Sequence, residues 1–406
     1  MDRTLLISLV SEQTLPNVQL IKEFKKEATD FLFISTNAME QKRTWIEQAV
    51  GISDSPFIVV EQFSFDNIIE QLDLYDFSVF KRLIVNLTGG TKVMTLVANE
   101  YFKELGAEIY YITGQTDYEC IKLYPGRKKK TLSLASSITI DEYLKSYGFS
   151  YKTNVMSKNS FEYTKLLFGY YCNGVFNNFE SALSFLRGKR KDGVKANALK
   201  EESEVLEFLN AIKYPIDEGF LTSADVKYIT GDWFEEYVGL TLKEELNLLD
   251  DELMIGVEMN KTSVNRTRND KTKLLGEQVE DSNPNEFDVV FIYKNKFYIV
   301  ECKTSIINKI PDPKKDWKEI NILGETIYKA DSLKTKFGLF ANTTIATLTG
   351  FKEYIESSPD RGTHNNRLKQ ISEQIDRANL SGIKLLDKSM LTSSNSIYNM
   401  INIIVC

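Results

Sequence analysis

Two carboxylates and a lysine in the C-terminal half of the chain have a spacing that suits metal-assisted hydrolysis. The strand-like segment 297–303 reads FYIVECK, and the alternation of side chains along a strand places Glu301 and Lys303 on one face. Asp288 lies 13 residues before Glu301, in the apolar run EFDVV. A short hairpin with a turn at residues 294–295 would bring the Asp288 carboxylate beside that of Glu301.

Two carboxylates and a main-chain carbonyl form a site that suits Mn²⁺ or Mg²⁺. Such an ion lowers the pKa of a bound water and stabilises charge on a phosphate oxygen, while a lysine ammonium orients the water. The bare Glu-x-Lys pattern is common, since residues 23–25 and 40–42 also carry it, and an exposed ion pair is its usual explanation. The two apolar strands and the tight turn favour a metal site here over a structural salt bridge.

A glycine turn in the N-terminal part predicts a second site, this one for an anion. The strand-like segment 83–86 continues as LTGGTKVM and then as a helix. Glycines let a ligand approach the backbone, and a helix N-terminus offers unpaired amide donors and a positive dipole end. Thr88, Thr91 and Lys92 add donors and charge. The turn matches neither G-x-x-x-x-G-K-[ST] nor G-x-G-x-x-G, and a tight turn that serves packing alone is the alternative.

The elements that must position the glycine turn alternate between strand and helix over the first ~130 residues, as in a parallel sheet flanked by helices. The polar loop SEQTLPN, residues 11–17, follows the first strand. In a Rossmann-like doubly wound sheet the first and fourth strands can be neighbours, so both loops would line one pocket. The predicted strands are 5–10, 31–35, 57–61, 83–86 and 109–113, and the predicted helices include 18–28 and 93–105.

The rest of the chain predicts a helical segment and a second α/β domain. The expected division is an α/β domain at 1–145, a helical spacer at 146–225 and a mixed α/β domain at 226–406. The last domain should contain helices at 231–246 and 325–336, strands at 286–293 and 296–303, and a strand near 339–341.

Composition excludes several classes of protein. The 406 residues are 42% apolar and 26% charged, with a formal net charge of −7, so nucleic acid binding would depend on local basic patches. The four cysteines form no Cys-x-x-Cys pair, and the single histidine argues against histidine-rich zinc hydrolases. No apolar stretch reaches the ~18 residues of a membrane helix, and no signal peptide is evident, so we expect a soluble, cytoplasmic protein.

The first ~140 residues resemble the CRISPR-associated Rossmann-fold (CARF) sensor domain, through NLTGGTKVM at 86–94 and LVSEQTLPN at 9–17. This resemblance implies a cyclic oligoadenylate ligand, with cyclic tetra-adenylate favoured, and a homodimer that matches the two-fold symmetry of the ring. The residues implied to touch the ring are Ser11, Gln13, Thr14 and Asn17, and those implied to hold its phosphates and sugars are Thr88, Gly89, Gly90, Thr91 and Lys92. Thr36 and residues 113–114 are further candidates placed by geometry.

The C-terminal part resembles the PD-(D/E)xK nucleases, in which a first helix carries a metal-proximal glutamate. Asp288, Glu301 and Lys303 match the D…(D/E)-x-K core, although Phe287 replaces the usual proline. In the segment TGDWFEEYV, Glu235 is the implied third metal ligand and Glu236 the alternative, while an ordinary helix with exposed glutamates stays open. Tyr328 and Lys329 of the following helix are candidates for contact with the substrate backbone.

The order of these parts resembles cyclic-oligoadenylate-activated effector nucleases of type III CRISPR systems, which implies a single-stranded DNA or RNA substrate cut with little sequence preference. The basic segment at 266–273 would contact the substrate backbone through charge. A CARF ribonuclease of the HEPN type is disfavoured, because Arg361 and His364 are separated by two residues rather than four to six, and His364 is expected in a loop. A ligand-responsive transcription regulator and a restriction-type nuclease with another ligand are the remaining alternatives.

Overall fold

The computed structural model describes residues 2–114, 119–126, 130–153, 160–216, 219–264, 278–280, 285–312 and 315–405. The N-terminal elements are β1 (Thr4–Leu9), α1 (Leu15–Phe24), β2 (Asp30–Ser35), α2 (Glu40–Val50), β3 (Phe57–Val59), α3 (Phe65–Asp73), β4 (Arg82–Asn86), α4 (Lys92–Glu104), β5 (Glu108–Ile112), β6 (Glu119–Tyr124), β7 (Lys130–Ser133) and α5 (Ile140–Ser146).

The middle and C-terminal elements are β8 (Phe149–Thr153), α6 (Phe161–Cys172), α7 (Glu180–Gly188), α8 (Ala196–Glu201), α9 (Ser203–Ala211), α10 (Ser223–Lys227), α11 (Trp233–Leu246), β9 (Leu253–Val264), β10 (Gln278–Glu280), β11 (Asn285–Tyr293), β12 (Lys296–Lys303), β13 (Ile307–Asp312), β14 (Lys315–Asn321), α12 (Leu323–Lys334), β15 (Ala341–Thr347), α13 (Phe351–Glu356), α14 (Arg361–Leu380), β16 (Ile383–Leu386), α15 (Lys388–Leu391) and α16 (Ser396–Val405). A π-helical turn, Tyr228–Asp232, leads into α11. No helix among these described segments is long and apolar enough to cross a membrane.

The N-terminal sheet has the strand order β3-β2-β1-β4-β5-β6-β7. Strands β1 to β5 pair in parallel, which confirms the predicted Rossmann-like arrangement, and β6 and β7 add an antiparallel edge. Strand β1 lies beside β4, with Ser8 paired to Asn86. Because both strands end at the same edge of the sheet, the loop at residues 11–17, here called the sensor loop, lies next to the glycine turn at residues 87–92.

The C-terminal sheet has the order β10-β9-β11-β12-β15-β16. Strands β11 and β12 form the predicted hairpin, whose turn residues Lys294 and Asn295 both have positive φ angles of 51° and 58°. Helix α11 packs on β9 and β11, and Gly239 allows this close approach because a Cβ there would lie 2.6 Å from the Ile255 side chain. Strand β15 begins at Ala341, slightly later than the sequence predicts, and pairs in parallel with β12.

The segment predicted as a helical spacer is instead part of the C-terminal domain. Strand β8 pairs with β9 and so extends the second sheet. Helices α6 to α10 share one apolar core with α11 and β11, in which Phe168 stacks on Tyr237 at 3.9 Å and Phe208 packs against Phe176. The helices therefore cover one face of the C-terminal sheet, since that face is apolar and must be buried.

A second apolar core joins the two domains. Tyr143 of α5 stacks on Phe297 of β12 with ring centroids 4.7 Å apart, and Phe149 stacks on Phe337 at 4.6 Å. The Tyr143 hydroxyl donates a hydrogen bond of 2.7 Å to the carbonyl of Phe337. This shared core fixes the N-terminal domain against the turn end of the hairpin, whereas Asp288, Glu301 and Lys303 lie toward its other end.

Candidate functional site

The glycine turn lies against the end of β1 without any space for a side chain. A Cβ on Gly89 would lie 1.9 Å from the carbonyl oxygen of Leu9, and Gly90 has a φ angle of 76°. Thr91 caps α4 by accepting a hydrogen bond from the amide of Met94 at 3.3 Å. Its hydroxyl also donates to the carbonyl of Gln62 at 2.7 Å. The first turn of α4 is thereby held with its N-terminus at the sheet edge, as an anion site requires.

Two residues predicted to touch a ligand ring are instead buried supports of the sensor loop. The side-chain amide nitrogen of Asn17 donates to the carbonyl of Leu9 at 3.0 Å, and its side-chain oxygen accepts from the side-chain amide of Asn86 at 2.8 Å. The Thr14 hydroxyl donates to the carbonyl of Ser146 at 2.6 Å. Both side chains are fully buried, so the structure gives them a positioning role in place of the predicted ring contact.

The other predicted sensor residues differ in how far they are open to solvent. Lys92 is exposed, and Ser11, Thr36 and Thr88 are half-buried. The Thr88 hydroxyl accepts a hydrogen bond from the amide of Ile112 at 2.8 Å, which ties the glycine turn to β5. Lys92 is therefore the charged side chain of the turn that is available to an anion.

Gln13 joins the sensor loop to the C-terminal domain. Its side-chain carbonyl accepts hydrogen bonds from the amide of Leu339 at 3.0 Å and from the hydroxyl of Tyr147 at 3.3 Å. Gly338, with a φ angle of 78°, fits beneath these groups because a Cβ there would lie 2.7 Å from the Gln13 oxygen. The sequence predicts a ligand contact for Gln13, whereas its contact with Leu339 depends on a residue 326 positions away and has no local sequence signal.

The structure brings the three predicted hairpin residues together. Lys303 Nζ lies 2.6 Å from Glu301 Oε1 and 3.4 Å from Asp288 Oδ2, and Asp288 also accepts a hydrogen bond of 2.6 Å from the amide of Cys302. Asp288 and Glu301 are 8% and 7% exposed, although both are carboxylates. We call Asp288, Glu301 and Lys303 the hairpin site.

Electrostatics show how closely these charges interact. Burial, followed by the charge of Glu301, raises the pKa of Asp288 to about 7. Burial acts to lower the pKa of Lys303, but the charges of Asp288 and Glu301 outweigh it, and the pKa is raised. Two buried carboxylates therefore share one ammonium group. The site has more negative than positive charge, and a bound cation would stabilise it.

Of the two candidate glutamates on α11, Glu235 interacts electrostatically with the hairpin site. Burial and then the charge of Asp288 raise the pKa of Glu235 well above its usual value. Glu236 is 5% exposed. The preceding π-helical turn carries Asp232, whose charge also acts on Glu235. We therefore retain Glu235 as the candidate third acidic residue.

The donor chemistry of the hairpin site suits a hard divalent cation. Carboxylate oxygens and main-chain carbonyls are preferred by Mg²⁺ and Mn²⁺, and a cation would relieve the repulsion that raises the pKa of Asp288. Within the described parts of the chain, no group of three or more His, Cys, Asp or Glu side chains is arranged to hold a metal ion. The pair Asp288 and Glu301 fits a metal, and the participation of Glu235 stays a prediction.

Two further basic side chains pair with acidic residues of the C-terminal domain. Lys329 Nζ of α12 is 3.7 Å from Glu301 Oε1, and the neighbouring Tyr328 is 60% exposed. Arg190 Nη2 lies 3.4 Å from Asp232 Oδ1, a contact that sequence reasoning missed because the basic loop at 188–191 resembles any solvated loop. The predicted basic segment at 266–273 lies outside the described residues.

The sequence predicts His364 in a loop, but the residue lies in the first turn of α14. Its Nδ1 lies 3.2 Å from the carbonyl oxygen of Ile355. Asp360 caps this helix through the amide of Thr363 at 2.8 Å, a signal that the sequence analysis overlooked.

Two family models match successive parts of the chain. Residues 5–143 match the Card1 CARF domain, and residues 222–355 match the Card1-like endonuclease domain. A comparison with curated proteins finds no match.

Two solved structures share the fold over the whole chain. Protein VC1899 from Vibrio cholerae aligns over 98% of this chain and 98% of its own, with a TM-score of 0.68 and 18% identity. Can2 from Sulfobacillus thermosulfidooxidans, solved in complex with cyclic tetra-adenylate, aligns over 100% of both chains, with a TM-score of 0.65 and 20% identity. The predicted resemblance is confirmed in both halves: the chain combines a Card1-type CARF domain with a Card1-like endonuclease domain that follows it.

Proposed function

We propose that this chain is a metal-dependent nuclease of type III CRISPR defence that cyclic oligoadenylate, and specifically cyclic tetra-adenylate, switches on. Its substrate would be single-stranded DNA or RNA, cut with little sequence preference. The observation that carries the proposal is the hairpin site, where Lys303 lies within 3.4 Å of both Asp288 and Glu301 at the end of two buried strands.

The residues of the hairpin site would have different roles in hydrolysis. Asp288 and Glu301 would hold Mn²⁺ or Mg²⁺, with Glu235 of α11 as a further ligand, and the bound ion would activate water and stabilise charge on the phosphate. Lys303 is fixed between the two carboxylates at 2.6 Å and 3.4 Å, so its ammonium can orient the attacking water or the phosphate. Cys302 contributes its amide to Asp288, which holds that carboxylate in place.

The messenger would bind at the edge of the N-terminal sheet. Lys92, the amides of the first turn of α4 and the backbone at Gly89 and Gly90 form a site suited to phosphates. Can2, which shares the fold, was solved with cyclic tetra-adenylate, and this supports the same ligand class here. A two-fold symmetric ring is best met by the same surface contributed twice, so we propose a homodimer.

The contact between Gln13 and Leu339 supports regulation of one domain by the other. It joins the sensor loop to the turn between α12 and β15, and β15 pairs directly with β12, where Glu301 is opposite Ile345. A ligand that changes the position of Gln13 would therefore act on elements adjoining the hairpin site. Coupling of this kind requires that the ligand contact the two states differently.

A cleavage assay with Glu301→Gln tests the proposal. Wild-type protein with Mn²⁺ should cut a labelled single-stranded oligonucleotide only when cyclic tetra-adenylate is present. Glu301→Gln should lose at least about 100-fold in rate, because the metal loses a charged ligand. The matched control is Glu325→Gln, which removes an exposed glutamate from α12. Full activity of Glu301→Gln would refute the assignment of Glu301 to the metal. Absence of cleavage by the wild-type protein, with messenger and Mn²⁺ present, would favour a ligand-responsive regulator without nuclease activity.

A further inference from the structure

The hairpin site lies at the centre of a line of charged side chains that crosses the C-terminal domain. On one side, the charge of Asp232 acts on Glu235, and the charge of Asp288 acts on the same carboxyl group. On the other side, Lys329 of α12 lies 3.7 Å from Glu301. Helix α11 shares an apolar core with Cys302 and Ala346, whereas α12 shares one with Ile345, which points to the other face of the sheet. The two helices therefore cover opposite faces of the sheet, with the hairpin strands between them.

The α11 side of this line ends in a basic loop. Residues 188–191 read GKRK, and Lys189, Arg190 and Lys191 are all exposed. Arg190 lies across the turn before α11, because a Cβ on Gly231 would lie 2.5 Å from its Nη2 atom. The charges that act on Asp232 also include Lys227, so Asp232 is near two positive side chains, Arg190 and Lys227. Such a loop suits a backbone phosphate of a nucleic acid.

Helix α12 also carries an exposed aromatic ring. Tyr328 is 60% exposed and directly precedes Lys329 in the helix. The guanidinium carbon of Arg377 lies 4.3 Å from the centroid of the Tyr328 ring, so α14 supports one face of the ring. An exposed ring backed by a cation is a suitable platform for an unpaired base, since every base has a π-face.

On the basis of the proposed nuclease function, we propose that a single nucleic acid strand crosses the hairpin site between two contacts, with a backbone phosphate on Arg190 and a base stacked on Tyr328. A paired base cannot stack on an isolated ring without leaving its helix, so this track selects single strands. The phosphate between the two contacts would lie over Asp288 and Glu301.

Two variants separate the contacts in a binding assay. Fluorescence anisotropy would follow a labelled oligothymidylate binding to the full chain in EDTA with saturating cyclic tetra-adenylate, so that binding is measured without metal-dependent cleavage. Arg190→Ala should lower the slope of log affinity against log salt concentration by about 0.7, the value for one phosphate contact on a single strand. Lys369→Ala, which removes an exposed positive charge from α14, should leave the slope unchanged.

The second contact is tested with an oligonucleotide that carries abasic residues. The substitution Tyr328→Ala should weaken binding of the complete oligonucleotide by about 5- to 100-fold. The variant should bind the abasic oligonucleotide with the same affinity as the wild type. Tyr328→Phe should retain the wild-type affinity because it keeps the ring, and Tyr398→Ala, at another exposed tyrosine, should have no effect.

The outcomes distinguish this proposal from the function on which it rests. If wild-type protein binds and cuts single strands, but Arg190→Ala and Tyr328→Ala have unchanged salt slopes and affinities, the track is wrong while the nuclease assignment stands. Equal affinity for duplex and single-stranded oligonucleotides would also overturn it. If the wild type binds no oligonucleotide at all, both proposals fail.

Discussion

The side-chain carbonyl of Gln13 accepts a hydrogen bond from the backbone amide of Leu339 at 3.0 Å, which joins the CARF domain to the endonuclease domain. The hydroxyl of Tyr147 donates to the same oxygen at 3.3 Å, so two donors hold the Gln13 side chain in place. Leu339 itself lies between α12 and β15. A residue of the sensor loop is therefore in direct contact with the domain that carries the hairpin site.

We predict that Gln13→Ala uncouples the two domains. The ratio of cleavage rates with and without cyclic tetra-adenylate should fall toward one, because the substitution removes the acceptor through which the loop contacts Leu339. Isothermal titration calorimetry would measure messenger binding, and cleavage of a labelled single strand would measure the ratio.

The neighbouring substitution Glu12→Ala is the matched control for this experiment. Glu12 pairs with Lys42 at 2.6 Å and is 65% exposed, so its loss changes the sensor loop without touching Leu339. Glu12→Ala should retain the wild-type ratio. A normal ratio in Gln13→Ala would show that the signal reaches the endonuclease domain by another route.

Gly89→Ala should destabilise the CARF domain at the glycine turn. The added methyl group would lie 1.9 Å from the carbonyl of Leu9, so backbone must move, at a cost of about 3 kcal/mol or more. Gly169→Ala, in α6 with no atom near its Cβ position, should instead raise stability by up to about 1 kcal/mol through helix propensity. Chemical denaturation would compare the two, and equal stabilities would show that the turn relaxes freely.

Lys92→Ala should weaken messenger binding by about 10- to 100-fold, as expected for the loss of one charged contact to phosphate. Lys103→Ala removes a charge from the other end of α4 and should bind as the wild type does. Titration of cyclic tetra-adenylate into each variant would give the affinities. Unchanged binding in Lys92→Ala would place the phosphates away from the glycine turn.

The sequence predicted best those features that depend on local periodicity. The parallel strands, the order of β1 and β4 and the hairpin that pairs Asp288 with Glu301 follow from short apolar runs and turn residues, which act over a few neighbours. The sequence predicts β12 at the observed residues, 296–303, because a tight turn comes before the strand and charged residues mark its end.

Features that depend on distant partners were not predictable in this way. Strand β8 is short and partly polar, and it is a strand because β9 offers it an edge, 100 residues further along the chain. Thr14 and Asn17 have the side chains of ligand-binding residues, yet their hydrogen bonds are satisfied by Ser146, Leu9 and Asn86. Only the tertiary structure distinguishes a polar residue that supports a loop from one that faces its ligand.

Acid should weaken the CARF domain through Glu108. Burial acts to raise the pKa of this carboxyl group, but hydrogen bonds from Arg82, Lys122 and Tyr110 outweigh burial and lower the pKa to about 2. Because the pKa in the folded state is below that in the unfolded chain, the stabilisation is complete above about pH 4.5 and is lost as the pH falls toward 2.

Glu108→Gln should therefore cost about 1–2 kcal/mol at pH 7, a value reduced for partial exposure of the network, and less at pH 3.5. Urea denaturation at both pH values measures this difference. Glu100→Gln, in a surface pair with Lys103 at 3.9 Å, should change stability little at either pH. A Glu108→Gln penalty that is the same at pH 7 and pH 3.5 would mean that packing, and not the charge of Glu108, accounts for its contribution.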